Sequence, residues 1–219
     1  MEHLARTRER ARAHKPFKIF ALGDSVTAGA QMNRGTWAVK GTEGIPFLYF
    51  AHLAREWEEH FRYQGITPVQ HGHGGWTAER ALTVVDKEVG GEAGSNDLVV
   101  LQFGGNDLSW AGRTPTEWKA AMKKLIARTK LKTDQILVLS TTPLGDIPKK
   151  SAEITRVLKE LVEEEKVAAA DVTRLACYRG EAFAWAWLAN EGHPAYMGHI
   201  ILAEMIAPLL THEHRIYPE

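Results

Sequence analysis

Ser25 stands just past an apolar segment, in the run Phe20-Ala-Leu-Gly-Asp-Ser-Val-Thr-Ala-Gly29. A serine at a strand end with glycines on both sides can point its hydroxyl into open space while its backbone N–H stays unpaired. A nucleophilic serine needs both properties. The spacing differs from the Gly-x-Ser-x-Gly of an α/β-hydrolase elbow, because Thr27 stands where the second glycine would be. The same residues also fit an ordinary strand-to-helix loop in which Ser25 caps a helix.

Three further blocks of polar residues stand beside segments whose patterns predict regular structure. They are Gln70-His-Gly-His-Gly-Gly-Trp-Thr77, Gly104-Gly-Asn-Asp107 and His193-Pro-Ala-Tyr-Met-Gly-His199. Asn106 carries an amide donor, and His193 carries a ring nitrogen that can accept a proton near neutral pH. Each block also has a structural explanation, since the glycines could only build a turn, Asn106 could cap its loop, and His193 could cap a helix.

Together the four blocks resemble the motifs of the SGNH (GDSL-type) hydrolase family, which are centred on Ser, Gly, Asn and His. They occur in the family order and span residues 23 to 199, although Gln70 stands where the family often has Asn. The resemblance implies that Ser25 is the nucleophile and His193 the general base. It implies an oxyanion hole made by Ser25, Gly75 and Asn106, and a serine ester hydrolase that forms an acyl-enzyme without a cofactor.

The chain departs from the family at one position. The family usually has Asp three residues before its histidine, and this chain has Asn190 there. An amide oxygen can accept the Nδ1–H of the imidazole and fix its tautomer, but it cannot balance the imidazolium charge. We expect Asn190 to orient His193 in a slower enzyme. The alternatives are that Glu191 or Asp171 supplies the carboxylate, or that the protein is a nearly inactive or non-catalytic ligand-binding relative.

The composition sets bounds on fold and partners. With 219 residues and 44% apolar content, the chain can bury a core in one domain, which we expect to be residues 1–219. Its 27 basic residues equal its 27 acidic ones, so no overall field attracts nucleic acid or an anionic membrane. The partner expected is a small ester, and the oligomeric state stays open.

The sequence also gives expectations about location. Residues 1–15 are charged where a signal peptide would be apolar, and we interpret them as a solvated, partly helical leader. No apolar run approaches the length of a membrane span. The single cysteine, Cys177, excludes an intramolecular disulfide and fits a reducing compartment. These features predict a cytoplasmic protein.

Apolar segments alternate with helical patterns along the whole chain. The predicted strands are Phe17–Leu22, Ile66–Gln70, Asp97–Phe103, Gln135–Ser140 and Val167–Asp171. Helices are predicted from Pro46, after Thr77, at the capping box Thr114–Glu117, around Ile154, within Gly180–Asn190 and from Pro194; residues 30–44 are predicted to be a long loop. This alternation predicts an α/β fold, a three-layer α/β/α sandwich with a five-stranded parallel sheet of the flavodoxin-like, SGNH hydrolase type. Ser25, Gly75 and Asn106 follow strand ends, so they are expected at one edge of that sheet.

Other ligands receive less support from the sequence. His71 and His73 could bind a metal together with His52 or a carboxylate, but no Glu-x-x-His or cysteine spacing accompanies them. The glycines before Thr77 could cradle a phosphate, but no Lys-Ser/Thr pair follows as in a P-loop. We therefore expect no metal, no cofactor and no nucleotide.

Two tryptophans suggest a class of substrate. Trp76 directly follows Gly75, and Trp110 lies just beyond Asn106-Asp107, so both are expected to line the cleft. Flat aromatic faces can stack on sugar rings, which favours an O-acylated carbohydrate or another compact polar ester. Tryptophans near strand ends also serve as ordinary packing, and the alternative activity is a lysophospholipase or thioesterase on longer acyl chains.

Overall fold

The computed structural model describes residues 2–30, 42–142, 146–174, 188–190 and 193–211. A five-stranded parallel sheet lies at the centre, in the order β2-β1-β3-β4-β5. Its strands are β1 (Phe17–Gly23), β2 (Ile66–Gly72), β3 (Leu98–Gln102), β4 (Ile136–Leu139) and β5 (Ala168–Ala170). The strand order reverses at β1, where the chain turns from β2 back across to β3. In open α/β sheets this is the place where ligands bind.

Helices cover both faces of the sheet. They are α1 (Ala5–Arg12), α2 (Tyr49–Phe61), α3 (Ala78–Ala81), α4 (Val85–Glu88), α5 (Pro115–Thr129), α6 (Ser151–Glu165), α7 (Tyr196–Ile206) and α8 (Pro208–Thr211). The first core layer joins Phe17, Ile19 and Ala21 of β1 to α1, α2, α7 and α8. The second joins Phe20 and Leu22 of the same strand to α3, α4, α5 and α6. Alternate residues of each strand thus enter opposite layers, and the predicted three-layer sandwich is confirmed.

The predicted start of α5 agrees with the structure. Thr114 Oγ1 accepts the Glu117 N–H at 3.2 Å, and the Glu117 carboxylate accepts the Thr114 N–H at 2.8 Å. Two orphan donors of the helix end are satisfied by this reciprocal pair.

Three other predicted helix starts or extents are corrected. The single helix predicted after Thr77 is broken into α3 and α4, with Thr77 Oγ1 capping the first at 3.3 Å from the Arg80 N–H. Pro46 lies in a 3₁₀ segment, Thr42–Phe47, and α2 begins only at Tyr49. Pro194 pairs in a short strand, so α7 begins two residues later than predicted.

The N-terminal segment is partly helical, as predicted, but it is docked on the domain, so the prediction that it is solvated is wrong. Leu4, Thr7 and Ala11 are buried, because their spacing of three and four residues puts them on one face of the helical segment. The Thr7 N–H donates to Gln135 Oε1 at 3.0 Å, and the Arg8 guanidinium donates to the Leu210 carbonyl at 3.1 Å. The charged residues occupy the outward face, which is why the composition alone suggested solvation.

A short antiparallel pair brings the last sequence block toward the sheet. It consists of β6 (Leu188–Asn190) and β7 (His193–Pro194), with Asn190 opposite His193. The helix predicted within Gly180–Asn190 falls outside the described residues except for 188–190, which form β6. Cys177, Glu191 and most of the predicted 30–44 loop also lie outside the described residues. Among the helices that the structure does describe, none is both long and apolar enough to span a membrane.

Candidate active site

The hydroxyl of Ser25 meets the imidazole of His193 at the carboxyl edge of the sheet. His193 Nε2 lies 2.8 Å from Ser25 Oγ, although the two residues are 168 positions apart in the chain. Burial lowers the pKa of His193 below its ordinary value of 6.5. The ring is therefore neutral at neutral pH, and a neutral ring nitrogen at hydrogen-bond distance from a hydroxyl can accept its proton.

The turn that carries Ser25 folds back tightly over the ends of β1 and β2. A Cβ on Gly23 would lie 2.1 Å from Thr27 Oγ1, and a Cβ on Gly72 would lie 2.2 Å from the Ala28 nitrogen. Within residues 21–30, Ser25 is the one position that is not fully buried. The two glycines make room for the turn, and the turn presents a single side chain to the cleft.

Asp24 holds this turn from inside. Its carboxylate is buried and accepts the Val26 N–H at 2.9 Å. Burial raises the pKa of Asp24 to about 7, against hydrogen bonds from Val26 and the Gln102 side chain that favour the ionised form. These contacts agree with a loop-stabilising role, which the sequence favoured for this carboxylate over a reactive one.

Gly75 lies in an open turn after β2. Its φ is +78°, and a Cβ placed there would meet no atom of the described residues within 4 Å. The requirement for glycine in the unliganded protein therefore comes from the left-handed backbone rather than from crowding. Across the described residues, neither the Ser25 N–H nor the Gly75 N–H has a hydrogen-bond acceptor, so both stay available to an incoming group.

Asn106 begins a short π-helix, Asn106–Trp110, four residues after the last residue of β3. Its Nδ2 donates one proton to the Trp76 carbonyl at 2.9 Å. A primary amide carries two N–H donors, so the second remains for another acceptor. This hydrogen bond ties the loop containing Gly75 to the loop containing Asn106.

Asp107 makes the same connection with its carboxylate, although its role could not be predicted from the sequence. Its two oxygens lie 3.2 and 3.1 Å from the Ala78 nitrogen, at the start of α3. The side chain is fully buried, and Arg113 lies 3.6 Å away. Burial raises the pKa of Asp107, while the Ala78 hydrogen bond and the Arg113 charge oppose that shift. The feature of the sequence that could have identified Asp107 is its position next to Asn106 in the same block.

The two tryptophans differ in their surroundings. Trp110 is 84% exposed, whereas Trp76 is partly covered by its own chain. The His73 ring stacks on Trp76 with centroids 4.0 Å apart, and the Arg80 guanidinium lies 4.6 Å from the Trp76 ring centroid. Trp110 is therefore the tryptophan whose face is open to a ligand.

The histidines of the second block contact a carboxylate. His73 Nε2 lies 2.8 Å from Glu88 Oε2, and His71 Nδ1 lies 3.6 Å from the same oxygen. In the parts of the chain that the structure describes, no group of three or more His, Cys, Asp or Glu side chains is arranged to hold a metal ion. These histidines instead link the second block to α4.

Of the residues considered as the acid partner of His193, Asp171 is engaged elsewhere. Its oxygens accept hydrogen bonds from the Ser140 and Thr155 hydroxyls and from the Arg174 N–H. Asn190 is described by its backbone alone, which pairs opposite His193.

A sequence profile of the GDSL-like lipase/acylhydrolase family matches residues 21–200 of this chain. A search of curated protein sequences gave no match. Among solved structures, a lipase/acylhydrolase from Enterococcus faecalis gives a TM-score of 0.70 at 19% identity, over 93% of this chain and 100% of its own. An acetylxylan esterase from Geobacillus stearothermophilus gives 0.66 at 19% identity, over 92% of this chain and 97% of its own.

A two-domain esterase active on acetylated mannans, crystallised with mannopentaose, gives a TM-score of 0.71 at 18% identity, over 99% of this chain and 56% of its own. At such identities the structural likeness establishes the fold. The profile match covers most of the chain and includes the blocks of Ser25, Gly75, Asn106 and His193. The chain belongs to the GDSL-like lipase/acylhydrolase family.

Proposed function

We propose that this protein is a serine ester hydrolase that works through an acyl-enzyme on small acyl esters, with O-acetylated carbohydrate as its natural substrate class. The observation that carries the proposal is the 2.8 Å contact between His193 Nε2 and Ser25 Oγ. A nucleophilic hydroxyl within hydrogen-bond reach of a neutral base is the arrangement that covalent acyl transfer requires.

In the acylation step, Ser25 Oγ attacks the ester carbonyl carbon while His193 Nε2 takes the hydroxyl proton. The carbonyl oxygen becomes an alkoxide, which accepts hydrogen bonds from the Ser25 N–H, the Gly75 N–H and the second Asn106 Nδ2 proton. Each such preorganised donor contributes about 3 kcal/mol to the transition state. When the carbon–oxygen bond of the ester breaks, His193 returns its proton to the departing alcohol.

In the deacylation step, a water molecule takes the place of the alcohol. His193 removes a proton from the water as it attacks the acyl carbon, and the same three donors hold the second alkoxide. Collapse releases the carboxylic acid and returns the proton to Ser25 Oγ. The lowered pKa of His193 supports both steps, because the ring is in its basic form at neutral pH.

Asn190 is proposed to hold His193 in the productive tautomer. Its backbone pairs opposite that of His193, and Asp171 is occupied by other donors. Changing Asn190 to Asp should raise kcat at neutral pH, since a carboxylate also balances the imidazolium. Glu191→Gln should change kcat little. Loss of activity in Glu191→Gln alone would identify Glu191 as the acid.

The proposal of an O-acetylated carbohydrate substrate is supported by the exposure of Trp110 and by the substrates of two structural relatives. Trp110 is 84% exposed and stands four residues after Asn106 on the same π-helix. An exposed aromatic face on a rigid turn can stack on a sugar ring. Two of the structural relatives act on acetylated xylan and acetylated mannan respectively.

The test of the chemical mechanism uses p-nitrophenyl acetate and a fluorophosphonate. The wild type should hydrolyse the ester and be labelled at Ser25, as located by mass spectrometry of peptides. Ser25→Ala should lose both properties and keep its thermal stability, because the half-exposed hydroxyl adds little to folding. Ser95→Ala, at an exposed serine, is the matched control and should behave as wild type. Hydrolysis that survives in Ser25→Ala would refute the assignment.

The test of the substrate class compares acetylated xylo- and manno-oligosaccharides with lysophospholipids. Acetate should be released from the oligosaccharides, and Trp110→Ala should raise KM for them without changing the rate on p-nitrophenyl acetate. Acyl release confined to the lipids would end the carbohydrate hypothesis and would support the long-chain alternative.

A further inference from the structure

Tyr49, the first residue of α2, lies buried between the turn of Ser25 and the helix that follows His193. Its hydroxyl lies 3.1 Å from Thr27 Oγ1, two residues after Ser25. Its backbone nitrogen lies 3.3 Å from His199 Nδ1, and its ring stacks on the His199 imidazole with planes 6° apart. Tyr49 thus contacts both the turn that carries Ser25 and the helix that follows His193.

The hydroxyl contact has a defined direction. Thr27 Oγ1 donates its proton to Gln102 Oε1 at 2.9 Å. A hydroxyl has one proton, so the Tyr49 hydroxyl must be the donor in its contact with Thr27. Tyr49, Thr27 and Gln102 are all essentially inaccessible to solvent, and no water competes for these bonds. Removing the Tyr49 hydroxyl would leave a buried lone pair on Thr27 without its donor.

The contact with His199 has a defined direction as well. The Tyr49 N–H belongs to the first turn of α2, where backbone donors have no partner within the helix. His199 Nδ1 accepts it, which puts the ring proton on Nε2. Burial lowers the pKa of His199 to about 3, so the ring stays neutral and remains an acceptor through the working pH range. A side chain of α7 thereby fixes the beginning of α2.

We infer that Tyr49 is a positioning residue that sets the distance between Ser25 and His193. Thr27 belongs to the rigid turn of Ser25, and His199 lies six residues after His193 in the same block. Tyr49 joins them at both ends with buried hydrogen bonds. Nucleophile and base must be held to within a fraction of an ångström, and a 1 Å displacement costs about 10²-fold in rate. This inference rests on the proposed function, because it concerns the geometry of that reaction.

The experiment removes the hydroxyl in Tyr49→Phe and follows p-nitrophenyl acetate hydrolysis. We expect kcat to fall about 10-fold with KM unchanged, because Ser25 and His193 are misaligned while the cleft is intact. Thr27→Val breaks the same bond from the other side and also removes the bond to Gln102, so it should give at least the same loss. Thr27→Ser keeps the hydroxyl and should restore near wild-type kcat. The double variant Tyr49→Phe/Thr27→Val should lose no more than Thr27→Val alone.

The matched control is Tyr63→Phe. The Tyr63 hydroxyl is buried without a hydrogen-bond partner among the described residues, so its removal should leave kcat unchanged. If Tyr49→Phe lowers the thermal midpoint but keeps kcat, Tyr49 is only structural and the inference is overturned. If Tyr49→Phe does not fold, Thr27→Val and Thr27→Ser decide the question by the same kcat comparison. An inactive, unlabelled wild type would instead overturn the proposed function, and this inference with it.

Discussion

The turn after β1 and the loop after β2 follow neighbouring strands, yet they differ in burial and in how closely they are packed. In the β1 turn, residues 24–30 are buried except for Ser25. Glycines at 23 and 72 let this turn pack where any Cβ would overlap it. In the β2 loop, residues 73–77 are half-exposed or exposed, and a Cβ on Gly74 or Gly75 would have no atom of the described part of the chain within 4 Å.

The hydrogen bonds follow the same division. Asp24 and Thr27 bond inside the turn and to the buried end of β3. The β2 loop is held by hydrogen bonds to the Asn106 and Asp107 side chains and by the contact of His73 with Glu88 of α4. The difference indicates that the turn carrying the candidate nucleophile is part of the core, whereas the loop carrying Gly75 is exposed. Substitutions that disturb the packing of the first region should therefore affect mainly folding, and substitutions in the second region should affect mainly activity.

The largest effect is expected for Gly72→Ala. The new methyl would lie 2.2 Å from the Ala28 nitrogen and 2.5 Å from its Cα. Overpacking against side chains costs about 1–3 kcal/mol, but these neighbours are backbone atoms that cannot rotate away. We expect a loss of about 5 kcal/mol in the free energy of unfolding, measured by urea denaturation. Gly74→Ala is the matched control and should cost under about 1 kcal/mol; equal losses would erase the contrast between the two regions.

The second-largest effect expected is that the free energy of unfolding depends on pH because of Asp24. Its pKa is raised from 3.8 to about 7 in the folded protein, so between those values the folded state holds a proton that the unfolded state has released. Its contribution to stability is full below about pH 4 and is lost as the pH rises through 7, by about 4 kcal/mol. Urea denaturation from pH 4 to 8 should show this fall in the wild type relative to Asp24→Asn, whose amide oxygen can still accept the Val26 N–H. Parallel pH profiles would contradict a neutral, buried Asp24.

Much of the fold could be predicted because it depends on short-range patterns. Apolar runs of strand length and the Thr114–Glu117 capping box identify elements without knowledge of their neighbours. The wrong predictions concern segments whose structure depends on tertiary contacts. Residues 1–15 look solvated by composition, yet Leu4 and Ala11 belong to the core layer on one face of the sheet. The helix after Thr77 breaks before Val85, although its apolar spacing continues.

The residues of the candidate site also divide into those that the sequence could predict and those that depend on tertiary contacts. Residues with a motif, such as Ser25, Asn106 and His193, could be named from the sequence, and the structure brings Ser25 and His193 into contact. Tyr49 and Gln102 were missed because their role depends on contacts over 22 and 75 residues of chain with Thr27. Gln102 did carry a signal, as a polar residue near the end of an otherwise apolar strand. Tyr49 carried none.

In the open region, the largest effect on activity is expected for Asn106→Ala. If the second amide proton meets the alkoxide, its loss should lower kcat about 10²-fold with KM nearly unchanged. The same change removes the hydrogen bond to the Trp76 carbonyl, which lies at a half-buried position. Stability should therefore fall by no more than about 1 kcal/mol. A stability loss without a loss of kcat would reduce Asn106 to a connector between loops.

The smallest effect, and the sharpest test of the comparison, is expected for Gly75→Ala. No atom in the described ranges of the chain blocks the methyl group, so the cost comes from the φ of +78°, which an L-residue adopts at about 1–2 kcal/mol. The loop can accept that strain or relax to a negative φ, and relaxation would turn the Gly75 N–H away from the alkoxide and lower kcat. Asparagine tolerates positive φ better than alanine, so Gly75→Asn should keep more stability and more activity. Equal behaviour of the two variants would show that backbone conformation is not the reason for glycine at this position.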